Sequence, residues 1–206
     1  MQTTVLRIVA ASGLILLSTG FGNAAPRDTT PDWPCQQRFV PTLTAGLFWS
    51  GENLEKAGDW RQDPKVAALV EKVAPRKVTA EEGEAVIKSY AESLKDDRER
   101  MIALAFKGLL DETNRQRAEV MNRIKTLARR QRELAEIASG ANDALESIPT
   151  DATGPAAERR QDLELRRRYV TKAFDDGQRT IRYICEVPVQ LEARLGAYAR
   201  ALQNAS

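Results

Sequence analysis

The sequence predicts an all-α chain: a long antiparallel helical hairpin, coiled-coil-like, with a small irregular segment and a short helix packed at its base. Three observations carry this. Residues 79–147 contain no proline and repeat apolar or small residues at steps of three and four. Residues 155–202 repeat the pattern. Between them, Ile148 to Pro155 holds two prolines and a glycine among small polar residues, which signals a turn.

Three regions follow in order. Residues 1–24 have the build of a signal peptide: Arg7, an apolar run from Ile8 to Leu17, then small residues at Gly22 and Ala24 before a cleavage point. The expected destination is the periplasm or the exterior, after cleavage. No later stretch reaches the roughly 20 apolar residues of a spanning helix.

Residues 25–78 form an arm with all three tryptophans (Trp33, Trp49, Trp60) and six of the nine prolines. Large indoles are costly to leave in water, so the arm is expected to pack onto something. Within it, Asp63-Pro64 opens a short helix: the carboxylate caps free N–H groups and proline suits the first helical position. Pro75 closes that helix.

Residues 79–206 form the two long helices, joined at about 148–155. Thr79 with Glu82 three residues later is a capping box. The seam then runs through Val86, Tyr90, Leu94, Ile102, Phe106, Leu109, Val120, Ile124, Leu127, Leu134, Ala138, Ala141 and Leu145. Polar Arg98, Thr113, Arg117 and Gln131 fall where seam residues are due. One helix over most of 80–147 would be about 100 Å long, with Asp111–Asn114 and Gly140 as candidate breaks. In the second helix, Leu163, Val170, Phe174, Ile181, Ile184, Leu191, Leu195, Tyr198 and Leu202 keep register across Pro188, which reads as a kink within one helix. Folding about the turn predicts that residue i lies near residue 300 − i. The run MIALAFKGLL (101–110) is apolar on too many sides for two helices, so the arm and short helix are expected to cover it.

The two cysteines, Cys35 and Cys185, then make sense together. In an exported chain a lone pair is expected to form a disulfide, here tying the arm to the second long helix.

Composition narrows the chemistry. There is no histidine, which removes Ser-His-Asp and Cys-His catalysis and His-containing zinc sites. The 31 basic residues are balanced by 29 acidic ones, which is not the excess a nucleic-acid binder needs. No phosphate-binding glycine motif or calcium loop is found, so neither cofactor nor metal is expected. The arginine groups Arg129, Arg130, Arg132 and Arg166, Arg167, Arg168 face one another in the predicted register. They form a candidate belt for an anionic partner, against the simpler reading of a solvated face with Glu133, Glu136, Asp162 and Glu164 interleaved.

An exported chain with a helical hairpin is similar in build to periplasmic holdase chaperones and helical adaptor proteins. Separately, YVTKAFDDGQRTIRY (169–183) resembles a helix of secreted chorismate mutases over about 15 residues. That resemblance implies a histidine-free enzyme clamping an anionic small molecule with Arg and Lys, and no site residue transfers from it. The leading expectation is a non-enzymatic adaptor or chaperone-like factor. Its ligand would be a protein partner or a second copy, held by the hairpin.

Overall fold

The computed structural model describes residues 30, 32–51 and 54–205, so the signal-peptide reading of 1–24 lies outside the described residues. Short 3₁₀ turns at Ala45–Leu47 and Trp60–Gln62 lead into four helices: α1 (Pro64–Val73), α2 (Ala80–Ser93), α3 (Arg98–Glu146) and α4 (Pro155–Gln203). Among the described residues there is no strand. The predicted hairpin is α3 against α4.

The helix starts form for the reasons read in the sequence. The Asp63 carboxylate accepts from the Lys65 and Val66 amides at 3.0 and 3.1 Å, with Pro64 at the first helical position. Thr79 and Glu82 make the reciprocal capping box, at 3.2 Å into the Glu82 amide and 2.9 Å back to the Thr79 amide. Pro188 sits inside α4, which continues through it to Gln203.

The single long helix over 80–147 is corrected by the structure. The break falls at 94–97, where Leu94 is extended and Asp97 has φ +53°. Two consecutive aspartates disfavour helix, and aspartate tolerates the left-handed region better than most residues. Arg98 consolidates the break: its guanidinium donates to the Ala91 and Leu94 carbonyls at the end of α2 and to Ala205 beyond α4. A cation there complements the helix dipole. The two suspected break points are helical. Asn114 instead pairs with the arm, its amide exchanging hydrogen bonds with the Leu43 backbone at 2.9 and 3.0 Å.

The core sits at the proximal base, where the first third of α3 is wrapped on all sides. Every residue of 101–110 except Lys107 is buried. Trp49 stacks on Phe106 with centroids 4.6 Å apart, and the Trp60 indole donates to Asp111 at 3.0 Å. Leu69 and Val73 of α1, Ile87 of α2, and Leu195, Tyr198 and Leu202 of α4 complete the cluster. Tyr198 packs so closely on Gly83 that a Cβ there would overlap its hydroxyl. The arm and short helix thus supply the third layer that the apolar run required.

Candidate interaction site

Beyond the base, the arm is fastened across the hairpin. Cys35 and Cys185 are bonded, with Cα atoms 5.6 Å apart and 150 residues between them in sequence. Trp33 and Cys35 pack against Val120, Ile124, Ile181 and Cys185. The Trp33 indole donates to the Gln37 carbonyl at 2.7 Å, and the Gln37 amide donates to the Cys185 carbonyl. Lys125 lies 4.0 Å from the Phe39 ring centre, a cation–π contact.

The polar residues in seam positions prove to lie in the seam. Thr113, Arg117 and Gln131 are buried, and Arg98 is the cap already described. Arg117 is the most enclosed, at 3 % exposure. One of its nitrogens donates to the Val40 carbonyl at 3.2 Å and lies 3.9 Å from Glu192. Its Nε and Nη1 have no partner among the described residues. Burial pulls its pKa below the ordinary arginine value. Gln131 reaches over Gly177, where any Cβ would collide with its amide.

The two arginine groups are not brought together. The contact of Gln131 with Gly177, and of Arg167 with Asn142 at 3.5 Å, gives a sum of about 308 for opposing positions, not 300. Residues 166–168 therefore lie opposite about 140–142, some ten residues, or about 15 Å, from 129–132. Loop composition predicts a turn but leaves the axial stagger of the helices open. Arg160 donates to the Leu145 and Ile148 carbonyls, so the start of α4 leans on the turn itself.

Arg129 and Arg132 already hold an anion from their own chain: both form ion pairs with Asp32 of the arm. Hydrogen bonds from Arg129 and then Arg132 keep that carboxyl below its usual pKa. Arg130 pairs along the helix with Glu133 at 3.5 Å. Arg166, Arg167 and Arg168 are exposed on α4.

The distal half of the hairpin is a different environment. No residue of α4 from 155 to 180 is buried, and Leu163, Val170 and Phe174 are only half covered by α3. Leu165, Tyr169 and Tyr183 are 49, 68 and 81 % exposed. Their spacings of four and fourteen place them on one stripe of α4. Sequence periodicity had singled out the seam and missed this stripe. Its signal was available: two tyrosines fourteen residues apart, each directly before or two after a seam residue.

At the base, a groove of about 390 Å³ is bordered by Arg76, Thr79, Ala80, Gln190 and Arg194. Arg194 spends its two terminal nitrogens on the Ala74, Pro75 and Val78 carbonyls, closing the end of α1. Among the described residues no cluster of His, Cys, Asp or Glu is grouped to hold a metal ion, and no helix is long and apolar enough to cross a membrane. No protein-family profile, curated protein or solved structure matches the chain.

Proposed function

We propose that the chain is an exported, periplasmic adaptor or chaperone-like assembly factor that binds a protein partner with the distal half of its hairpin. The observation that carries this is the exposed stripe of Leu165, Tyr169 and Tyr183 on a helix half left without a buried residue. Tyrosines combine a large apolar area with a polar tip and lose little entropy on fixing, which suits a contact surface. The signal-like pattern of 1–24 and the disulfide support export. The wrapped base and the stapled arm act as the rigid mount.

The histidine-free enzyme is the second reading, and the groove beside Arg76 and Arg194 is what favours it. It is the weaker one because the Arg194 guanidinium is already engaged by backbone carbonyls.

Photo-cross-linking in living cells tests the leading reading. A photoreactive amino acid placed at Leu165, Tyr169 or Tyr183 is expected to capture one dominant protein. The same probe at exposed Leu47, on the base, should not. Capture from Leu47 alone would contradict the proposal.

A further inference from the structure

The distal hairpin is divided by charge. Residues 133–146 of α3 carry Glu133, Glu136, Asp143 and Glu146 and no basic residue. Residues 159–172 of α4 carry Arg159, Arg160, Arg166, Arg167, Arg168 and Lys172 against only Asp162 and Glu164. The Arg167–Asn142 contact sets residues 136–146 of the first beside residues 163–173 of the second at the same height. The facing stretches 136–146 and 163–173 are net −3 and net +3.

These opposite charges do not neutralise one another within the hairpin. Among the described residues, no ion pair joins α3 to α4 in this half; the pairs present run along a single helix, as in Arg130–Glu133, Arg160–Glu164 and Lys172–Asp176. Glu136, Asp143 and Glu146, and Arg159, Arg166 and Arg168, form no ion pair at all among those residues.

Resting on the interaction reading above, we infer that the partner of this face is a second copy of the chain. Two hairpins related by a two-fold axis along the stalk would form a four-helix bundle. Each acidic α3 segment would lie beside the partner's basic α4 segment at the same height. A two-fold interface must be self-complementary, and a face with one acidic and one basic edge is so by construction.

Shape agrees with charge. In an antiparallel pair, the positions just before the seam residues lie on the same side of both helices. On that side α4 presents Tyr169 with Leu165 beside it, and α3 presents Ile137, Gly140 and Ala144. Nothing lies within 4 Å of where a Gly140 Cβ would be, which leaves room for a partner's ring. The described residues of the arm lie on the other side, Asp32 to Pro34 beside Gln178 and Arg182, and leave Tyr183 exposed.

Sedimentation equilibrium of the mature chain, disulfide intact, tests the inference. A monomer–dimer equilibrium is expected, weakening roughly tenfold or more between about 50 and 500 mM salt because the charge contacts are surface-exposed. The variant R166E/R167E/R168E should be monomeric, as should E136K/D143K/E146K, and mixing the two should restore a heterodimer. Should either variant fold poorly by circular dichroism, Tyr169→Asp at a 68 % exposed position serves instead and should also give monomer. Spin labels at Thr150 report the axis: a two-fold along the stalk brings the two turns together. A wild-type monomer at all concentrations, or a dimer indifferent to salt and to charge reversal, would overturn the inference. A wild-type monomer whose Tyr169 probe still captures a different protein in cells would overturn self-association while leaving the interaction reading standing.

Discussion

The two ends of α3 are built from the same 49-residue helix and live under different physics. At the proximal end, 101–110 is enclosed by two indoles, two short helices and the end of α4. At the distal end, 134–145 meets only one helix among the described residues, and that helix has no buried residue before Ile181. A fully wrapped apolar segment derives its stability from its own chain. A two-helix stalk leaves much of each helix in water, where the hydrophobic contribution of about 25 cal/mol per Å² of buried surface is unrealised. The proximal end is therefore a wrapped core, and the distal end leaves one side of each helix in water.

The largest expected effect comes from cutting the tie between the regions. A C35S/C185S variant releases a loop of 150 residues, and chain entropy sets a ceiling of ~5 kcal/mol on the loss. Urea unfolding should show it, with arm amides losing hydrogen-exchange protection first. An unchanged unfolding midpoint would mean that Asp32, Gln37 and Asn114 hold the arm unaided.

Next in size is the contrast between two phenylalanines. Phe106→Ala in the base should cost about 3–5 kcal/mol, the usual range for a fully buried ring. Phe174→Ala in the half-covered stalk should cost about 1 kcal/mol. Equal losses in chemical denaturation would erase the distinction drawn between the two regions.

Arg117 lies between them and gives a change of opposite sign. Its charge is buried with two nitrogens unpartnered among the described residues and Glu192 at 3.9 Å. Glu192 is 47 % exposed and keeps its water when the arginine goes, so an apolar replacement of similar volume removes a buried charge without stranding another. Arg117→Met is expected to leave the melting temperature unchanged or raise it. A marked fall would show that the Val40 hydrogen bond and the Glu192 contact outweigh the burial of the charge.

The smallest effect is a pH dependence. The Asp32 carboxyl has its folded pKa depressed below the ordinary 3.8 by Arg129 and Arg132. Its stabilisation is therefore full above pH 3.8 and is lost as pH falls through the lower folded value. The Trp33 indole N–H resonance should shift in that acid range, and Asp32→Asn should abolish the shift at that site. A shift retained in Asp32→Asn would assign it to another carboxylate.

Much of this was legible in residue order because the forces are local. Asp63-Pro64, Thr79 with Glu82, and the turn at 148–155 act within a few residues, so their effects could be read directly. The cysteine pairing followed from a count of two in a chain whose first 24 residues read as an export signal. What was not legible depended on long-range packing. Leu94 keeps the apolar period, so nothing in the pattern placed the break there; Arg98, which consolidates it, reaches carbonyls of two other segments. Arg117 and Gln131 were visible as irregularities in the seam, but not as buried groups. The stagger of α3 and α4, and with it the separation of the two arginine groups, depends on side-chain interlock along both helices. The charge division of the distal half was present in the composition of 136–146 and 163–173, and only the true register sets those segments opposite each other.

The most direct test is hydrogen exchange along the native chain at two protein concentrations. Amides of 101–110 are expected to be protected equally at both, while amides of 134–145 and 159–174 exchange fast when dilute and gain protection as concentration rises. Uniform protection of both regions, independent of concentration, would show that the stalk is complete by itself and would contradict the account.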